Sequence, residues 1–118
     1  VTGFGLLGHL AEICKGSKVS AEIYFSEIDF LPSVLELAES GIIPGGTKRN
    51  LEYLKSDIIF NPKLNSIEQL LTCDAQTSGG LLVTLPPEDA ETYVSSICSD
   101  AKIIGHISDK KSTLIKVT

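Results

Sequence analysis

The last part of the chain limits its architecture most. Two strand-like runs, Lys102 to Ile107 and Thr113 to Val117, are separated only by Ser108-Asp-Lys-Lys-Ser112. Five polar residues cannot hold the crossover helix that joins parallel neighbours, so the pair predicts a hairpin. Upstream, helical and strand patterns alternate, which suits a sheet covered by helices. A hairpin closing such an alternation rules out a fully parallel sheet. The expected fold is therefore α+β, a layered α/β/α domain with a mixed β-sheet flanked by helices.

The alternation can be followed residue by residue. Leu6, Leu7, Leu10, Ile13 and Cys14 form an amphipathic stripe that ends near Gly16. Val19 to Phe25 alternates apolar and polar residues and predicts a strand. Ser33-x-x-Glu36 has capping-box spacing ahead of Val34, Leu35, Leu37, Ala38 and Ile42, with Gly41 as the stop. After Pro44-Gly45-Gly46, Thr47 is placed to cap a short helix carrying Leu51 and Leu54. Asp57 to Phe60 predicts a short strand, Ser66-x-x-Gln69 a second capping box, and Leu81 to Leu85 another strand. Pro86-Pro87-Glu88-Asp89 opens a helix with Ala90, Val94 and Ile97 on its inner face.

With 118 residues, one ordinary core suffices and no linker or repeat divides the chain, so residues 1–118 are expected to form a single domain. Hydrophobic residues make up 42% and charged ones 21%, a globular rather than disordered composition. The net charge of −5 argues against a nucleic-acid partner, because neutralising a phosphate backbone needs clustered Lys and Arg. No apolar run is long enough to span a bilayer, and a soluble, cytoplasmic protein is expected. Cys14, Cys73 and Cys98 are odd in number and widely spaced, so reduced thiols are expected rather than disulfides or a zinc site. The chain contains no Met and begins on Val1, which reads as part of something longer.

Three glycine-bearing loops carry the chemistry. The first, Thr2-Gly3-Phe4-Gly5-Leu6-Leu7-Gly8, has the G-x-G-x-x-G spacing of dinucleotide-binding loops. That reading requires a preceding strand and an acidic residue about 20 positions on, and neither Glu22, Glu27 nor Asp29 is well placed. The loop is then either an anion site at a helix start, with Gly3 and Gly5 permitting close backbone approach, or a tight turn with close packing. The second, Gly45-Gly46-Thr47-Lys48-Arg49-Asn50, sets two cations in a first helical turn, against the macrodipole. It is an anion site or a solvated surface turn. The third, Asp74-Ala75-Gln76-Thr77-Ser78-Gly79-Gly80, offers small hydroxyls beside paired glycines, as a phosphate cradle or as an ordinary turn. His9 and His106 stand alone, and no cluster has metal-ligand spacing.

Taken together and in order, VTGFGLLGHL, GIIPGGTKRNL and CDAQTSGGLL resemble the C-terminal half of the selenophosphate synthetases, or selenide, water dikinases, within the aminoimidazole ribonucleotide synthetase superfamily. The resemblance covers essentially the whole chain. It implies a two-domain subunit whose N-terminal domain, absent here, binds ATP and forms the homodimer. It also implies conversion of ATP, selenide and water to selenophosphate, AMP and phosphate, with Mg2+ bridging the phosphates. In that family a metal-binding Asp directly precedes the V-T-G-F-G motif, and the reactive Cys or selenocysteine and the essential Lys belong to the N-terminal half. No catalytic nucleophile and no metal ligand is therefore assigned within the chain, and the fragment is expected to be inactive alone.

Under this resemblance the expected phosphate- and nucleotide-binding residues are Thr2, Gly3, Gly5, Thr47, Lys48, Arg49, Asn50, Thr77, Ser78, Gly79 and Gly80. The last four shape the cleft or support the first loop. The expected partner is the protein's own N-terminal domain, with no nucleic acid and no membrane. The alternatives are another ATP-using member of the superfamily, or a non-catalytic binding domain.

Overall fold

A computed structural model describes all residues from Val1 to Thr118. Helix α1 (Gly5–Ser17) leads into strand β1 (Val19–Ile23), and a short 3-10 turn, Phe25–Glu27, follows. Helices α2 (Val34–Glu39) and α3 (Gly45–Leu54) precede β2 (Ile58–Phe60). Helices α4 (Ser66–Leu71) and α5 (Pro87–Thr92) come next, then a π-helical turn over Tyr93–Ile97, β3 (Gly105–Asp109) and β4 (Ile115–Val117). The fold is α+β with a four-stranded mixed sheet, as expected. No helix is long and apolar enough to cross a membrane.

The core begins with the spacing of α1. Leu7, Leu10, Ala11 and Cys14 recur at helical intervals and are all buried, against Ala21 and Ile23 of β1 and Ile115 and Val117 of β4. Full burial of a leucine contributes about 1.5–3 kcal/mol, so Leu7 and Leu10 alone anchor the helix firmly. Leu54 of α3 and Ile58 of β2 complete the cluster. α1 ends at Lys18, whose φ of 56° reverses the chain directly into β1.

The expected hairpin does not form. The sheet order is β2-β4-β1-β3, with β1 antiparallel to β3 and parallel to β4, and β2 parallel to β4. Strand β1 thus lies between the two strands that the sequence pairs with each other. Residues 110–114 step over it: the Lys111 N–H donates to Ser20 Oγ, whose hydroxyl donates to the Thr113 carbonyl, and the Ala21 N–H donates to Leu114. Two strand spacings are about 10 Å, within reach of a five-residue link, so the link crosses a strand as easily as it turns. Ser20 is buried to hold this crossing.

Register separates the two faces of the sheet. Ala21 pairs with Ile115, which pairs with Ile58, all facing the helices. The alternate row is His106, Glu22, Lys116 and Ile59. There Glu22 accepts from Lys116 Nζ at 2.9 Å, with His106 Nε2 at 3.9 Å, and the Lys116 bond holds its carboxyl below the usual range. His106 points outward, as its position in a half-exposed strand suggests.

Other local expectations are corrected. Leu81 to Leu85 forms no strand; Leu81 is 87% exposed and only Leu82 packs on the core. Its apolar alternation finds no partner strand, although β2 and β3 each keep one edge free. Ser33 makes no cap bond; its φ of 66° is left-handed rather than the extended conformation of a capping residue. The capping box of α4 is one residue earlier than Ser66-x-x-Gln69: Asn65 Oδ1 accepts from Ile67 and Glu68, while Glu68 accepts from the Asn65 N–H. Ile97, expected on an inner face, is 71% exposed, because the last turn widens to π geometry and rotates it outward.

Candidate functional site

Glycine chemistry decides the geometry of the first loop. Phe4 is in the right-handed region (φ −84°, ψ −3°) and Gly5 follows at φ +70°. A right-handed residue followed by one of positive φ is the backbone pattern of an anion-binding nest. The N–H groups of Gly3, Phe4 and Leu6 donate to no group in the protein, whereas that of Gly5 donates to the Thr2 carbonyl. Gly5 is also obligatory for packing: a Cβ there would lie 2.6 Å from the Cys73 carbonyl carbon and oxygen. Gly8 has a different duty, since a Cβ would meet that of Phe4 at 2.8 Å.

The three sequence motifs, far apart along the chain, come together around this loop. The Gly79 N–H donates to Val1, the Gln76 N–H donates to Thr2, and the Val1 amino group donates to Gly80. From α3, Asn50 Nδ2 donates to the carbonyls of both Gly3 (2.9 Å) and Cys73 (3.1 Å). Asn50 therefore ties the first motif to the third. Thr47 is not the cap of α3; the helix starts two residues earlier, after Pro44, and the Thr47 side chain is fully buried. Its hydroxyl donates to Asp74 Oδ1 at 2.6 Å and accepts from the Ala75 N–H at 3.1 Å.

Lys48 and Arg49 occupy the first turn and a half of α3, both exposed and neither in an ion pair. Arg49 borders a groove of about 350 Å³ between α1 and α3, together with Phe4, Gly8, Glu12, Asn50, Tyr53 and Leu54. Thr77 and Ser78 are exposed on the neighbouring loop, and their hydroxyls bond to no protein group. Gly79 and Gly80 are occupied with Val1, so that pair holds the first loop in place.

Glu22, the acid nearest in count to a ribose ligand, is bound to Lys116 on the sheet face away from the helices. Asp74, Gln76 and His9 were not singled out as site residues by sequence. Their partners Thr47 and Thr2 are set by the fold, and the 27-residue separation of Thr47 from Asp74 has no local signature. The cysteines are structural or peripheral: Cys14 and Cys73 are buried, and burial pushes the Cys73 thiol up to about 11.

Comparison with known proteins shows the family. Residues 1–117 match the family described as AIR synthase related protein, C-terminal domain. The chain is 47% identical over 103 residues to a selenide, water dikinase of Pasteurella multocida, covering 87% of this chain and 28% of the relative. It is 41% identical over 121 residues to selenide, water dikinase 2 of Peptoclostridium acidaminophilum (99% and 35%). For the selenide, water dikinase of Aliarcobacter butzleri the identity is 37% over 111 residues (91% and 32%). The chain thus spans about a third of the length of these relatives. It belongs to the AIR synthase related protein family as a C-terminal domain, and its matched relatives are selenide, water dikinases.

Proposed function

We propose that this chain is the C-terminal domain of a selenide, water dikinase, which forms selenophosphate, AMP and phosphate from ATP, selenide and water. One observation carries the reading: the three motifs shared with that family converge on a loop with unpaired backbone N–H groups, beside two cations that have no carboxylate partner. Phosphoryl transfer asks a protein chiefly to position the donor and offset its charge, which such groups do. The N–H groups of Gly3, Phe4 and Leu6 would donate to phosphate oxygens. Lys48 and Arg49 would add positive charge to an otherwise acidic domain. Thr77 and Ser78 would line the same cleft, while Thr47, Asn50, Gly79 and Gly80 keep the loops in register.

Mg2+ supplies charge neutralisation between phosphates when bound. No three His, Cys, Asp or Glu side chains stand close enough to hold an ion by themselves. The family resemblance assigns the metal to aspartates outside these residues. The working unit would then be the full-length cytoplasmic homodimer, with this domain packed on its own N-terminal domain and without turnover alone.

The test is selenide-dependent AMP formation by the full-length protein. Lys48→Ala and Arg49→Ala should each lower kcat/KM for ATP by about tenfold, the loss expected for one charge-assisted contact. Wild-type kinetics in both variants would remove α3 from the site. AMP formation that ignores selenide would dismiss the dikinase assignment itself.

A further inference from the structure

His9 lies outside the shared loops' assigned residues, yet its contacts are specific. The Thr2 N–H donates to its Nε2 at 3.1 Å, and the Thr2 hydroxyl lies 3.0 Å from the same nitrogen. A ring nitrogen that accepts an N–H carries no proton, so the neutral ring's proton is on Nδ1. The Phe4 ring meets the imidazole edge-on, with centroids 6.0 Å apart and planes at 73°. Gly8 leaves the room that Phe4 needs to lie there.

The Thr2 carbonyl already accepts from Gly5 and Gln76. With His9 taking the N–H, both backbone polar groups of Thr2 are satisfied inside the protein. His9 is a rigid post for this purpose, because Leu7, Leu10 and Ala11 on either side of it fix α1 in the core. The residue therefore immobilises the turn that immediately precedes the unpaired N–H groups of Gly3, Phe4 and Leu6. No other side chain bonds to Thr2.

We propose that His9 is a positioning residue: as a neutral Nδ1–H imidazole it anchors Thr2 and keeps the Gly3–Leu6 backbone arranged for a phosphate group. This rests on reading the chain as part of a nucleotide-using dikinase. His9 acts through Thr2, the one residue to which its ring is hydrogen-bonded. Its replacement should accordingly weaken ground-state binding more than the chemical step.

The test uses the full-length protein. His9→Leu should raise KM for ATP roughly two- to tenfold, the equivalent of one neutral hydrogen bond, with kcat changed by less than about twofold. His9→Gln, whose amide oxygen can accept from Thr2, should recover most of the loss. Nitrogen-15 NMR of the imidazole should show a protonated Nδ1 and an unprotonated Nε2, and the Thr2 amide should exchange faster with solvent in the leucine variant. A proton on Nε2, an unchanged KM in His9→Leu, or a glutamine variant as impaired as leucine would overturn the proposal. Should the wild-type protein form no AMP with selenide, the dikinase reading falls, while the tautomer and the Thr2 exchange rate still decide what His9 does. If His9→Leu does not fold, the glutamine variant and the wild-type tautomer decide instead.

Discussion

At Gly5, conformation and packing make the same demand. A φ of +70° disfavours any side chain by about 1–2 kcal/mol, and a Cβ would also collide with the Cys73 carbonyl. Gly5→Ala should therefore destabilise the protein by about 3 kcal/mol or more, read as a lower denaturant midpoint. Thr47 presents a subtler case, since Thr47→Val keeps the shape but leaves Asp74 and the Ala75 N–H without their shared partner. A loss of about 1–3 kcal/mol is expected from that substitution. The thiols give a third measurement: native protein at neutral pH should react at Cys98 alone among its three cysteines, because Cys14 and Cys73 are buried. Burial raises the folded-state Cys73 value from 9.0 to about 11, because desolvation penalises the thiolate, so the fold favours the neutral thiol. The associated stability is fully present below pH 9 and is lost as pH rises toward about 11, which alkaline denaturation curves can follow.

Among the elements, those with internal periodicity were legible and those needing a distant partner were not. The stripe of α1 names its own buried face, and Leu7, Leu10 and Cys14 are buried as the spacing requires. The capping box of α4 was misplaced by one residue, because Ser66 and Asn65 are equally able to cap until the Glu68 bond chooses between them. Asn65→Ala should cost about 1 kcal/mol, measurable by thermal denaturation. Leu81, Val83 and Leu85 have strand alternation, but alternation specifies a face and not a neighbour. Amides 81–85 donate no backbone hydrogen bond, so their hydrogen exchange should be fast while that of β1 is slow.

On the scale of the whole molecule, family resemblance singled out three loops and the structure brings them together. Loop composition alone left each of the three motifs between ligand site and ordinary turn. Their convergence depends on bonds such as Asn50 to Gly3 and Gly79 to Val1, which join residues that no local pattern connects. Lys48 and Arg49 remain exposed toward solvent, whereas Thr47 and Asn50 are used to hold backbone carbonyls, an amide and Asp74 together.

The strand crossing also governs when the molecule can fold. β1 is synthesised well before both of its neighbours, β3 and β4, and the Lys116–Glu22 pair spans 94 positions. Translation at about 5–20 residues per second leaves β1 with both edges open for roughly 5–20 s. During that interval the nascent chain has a helix and an unpaired apolar strand but no sheet to close on. Emergence of β3 and β4, rather than of any earlier element, is then the event that completes this sheet.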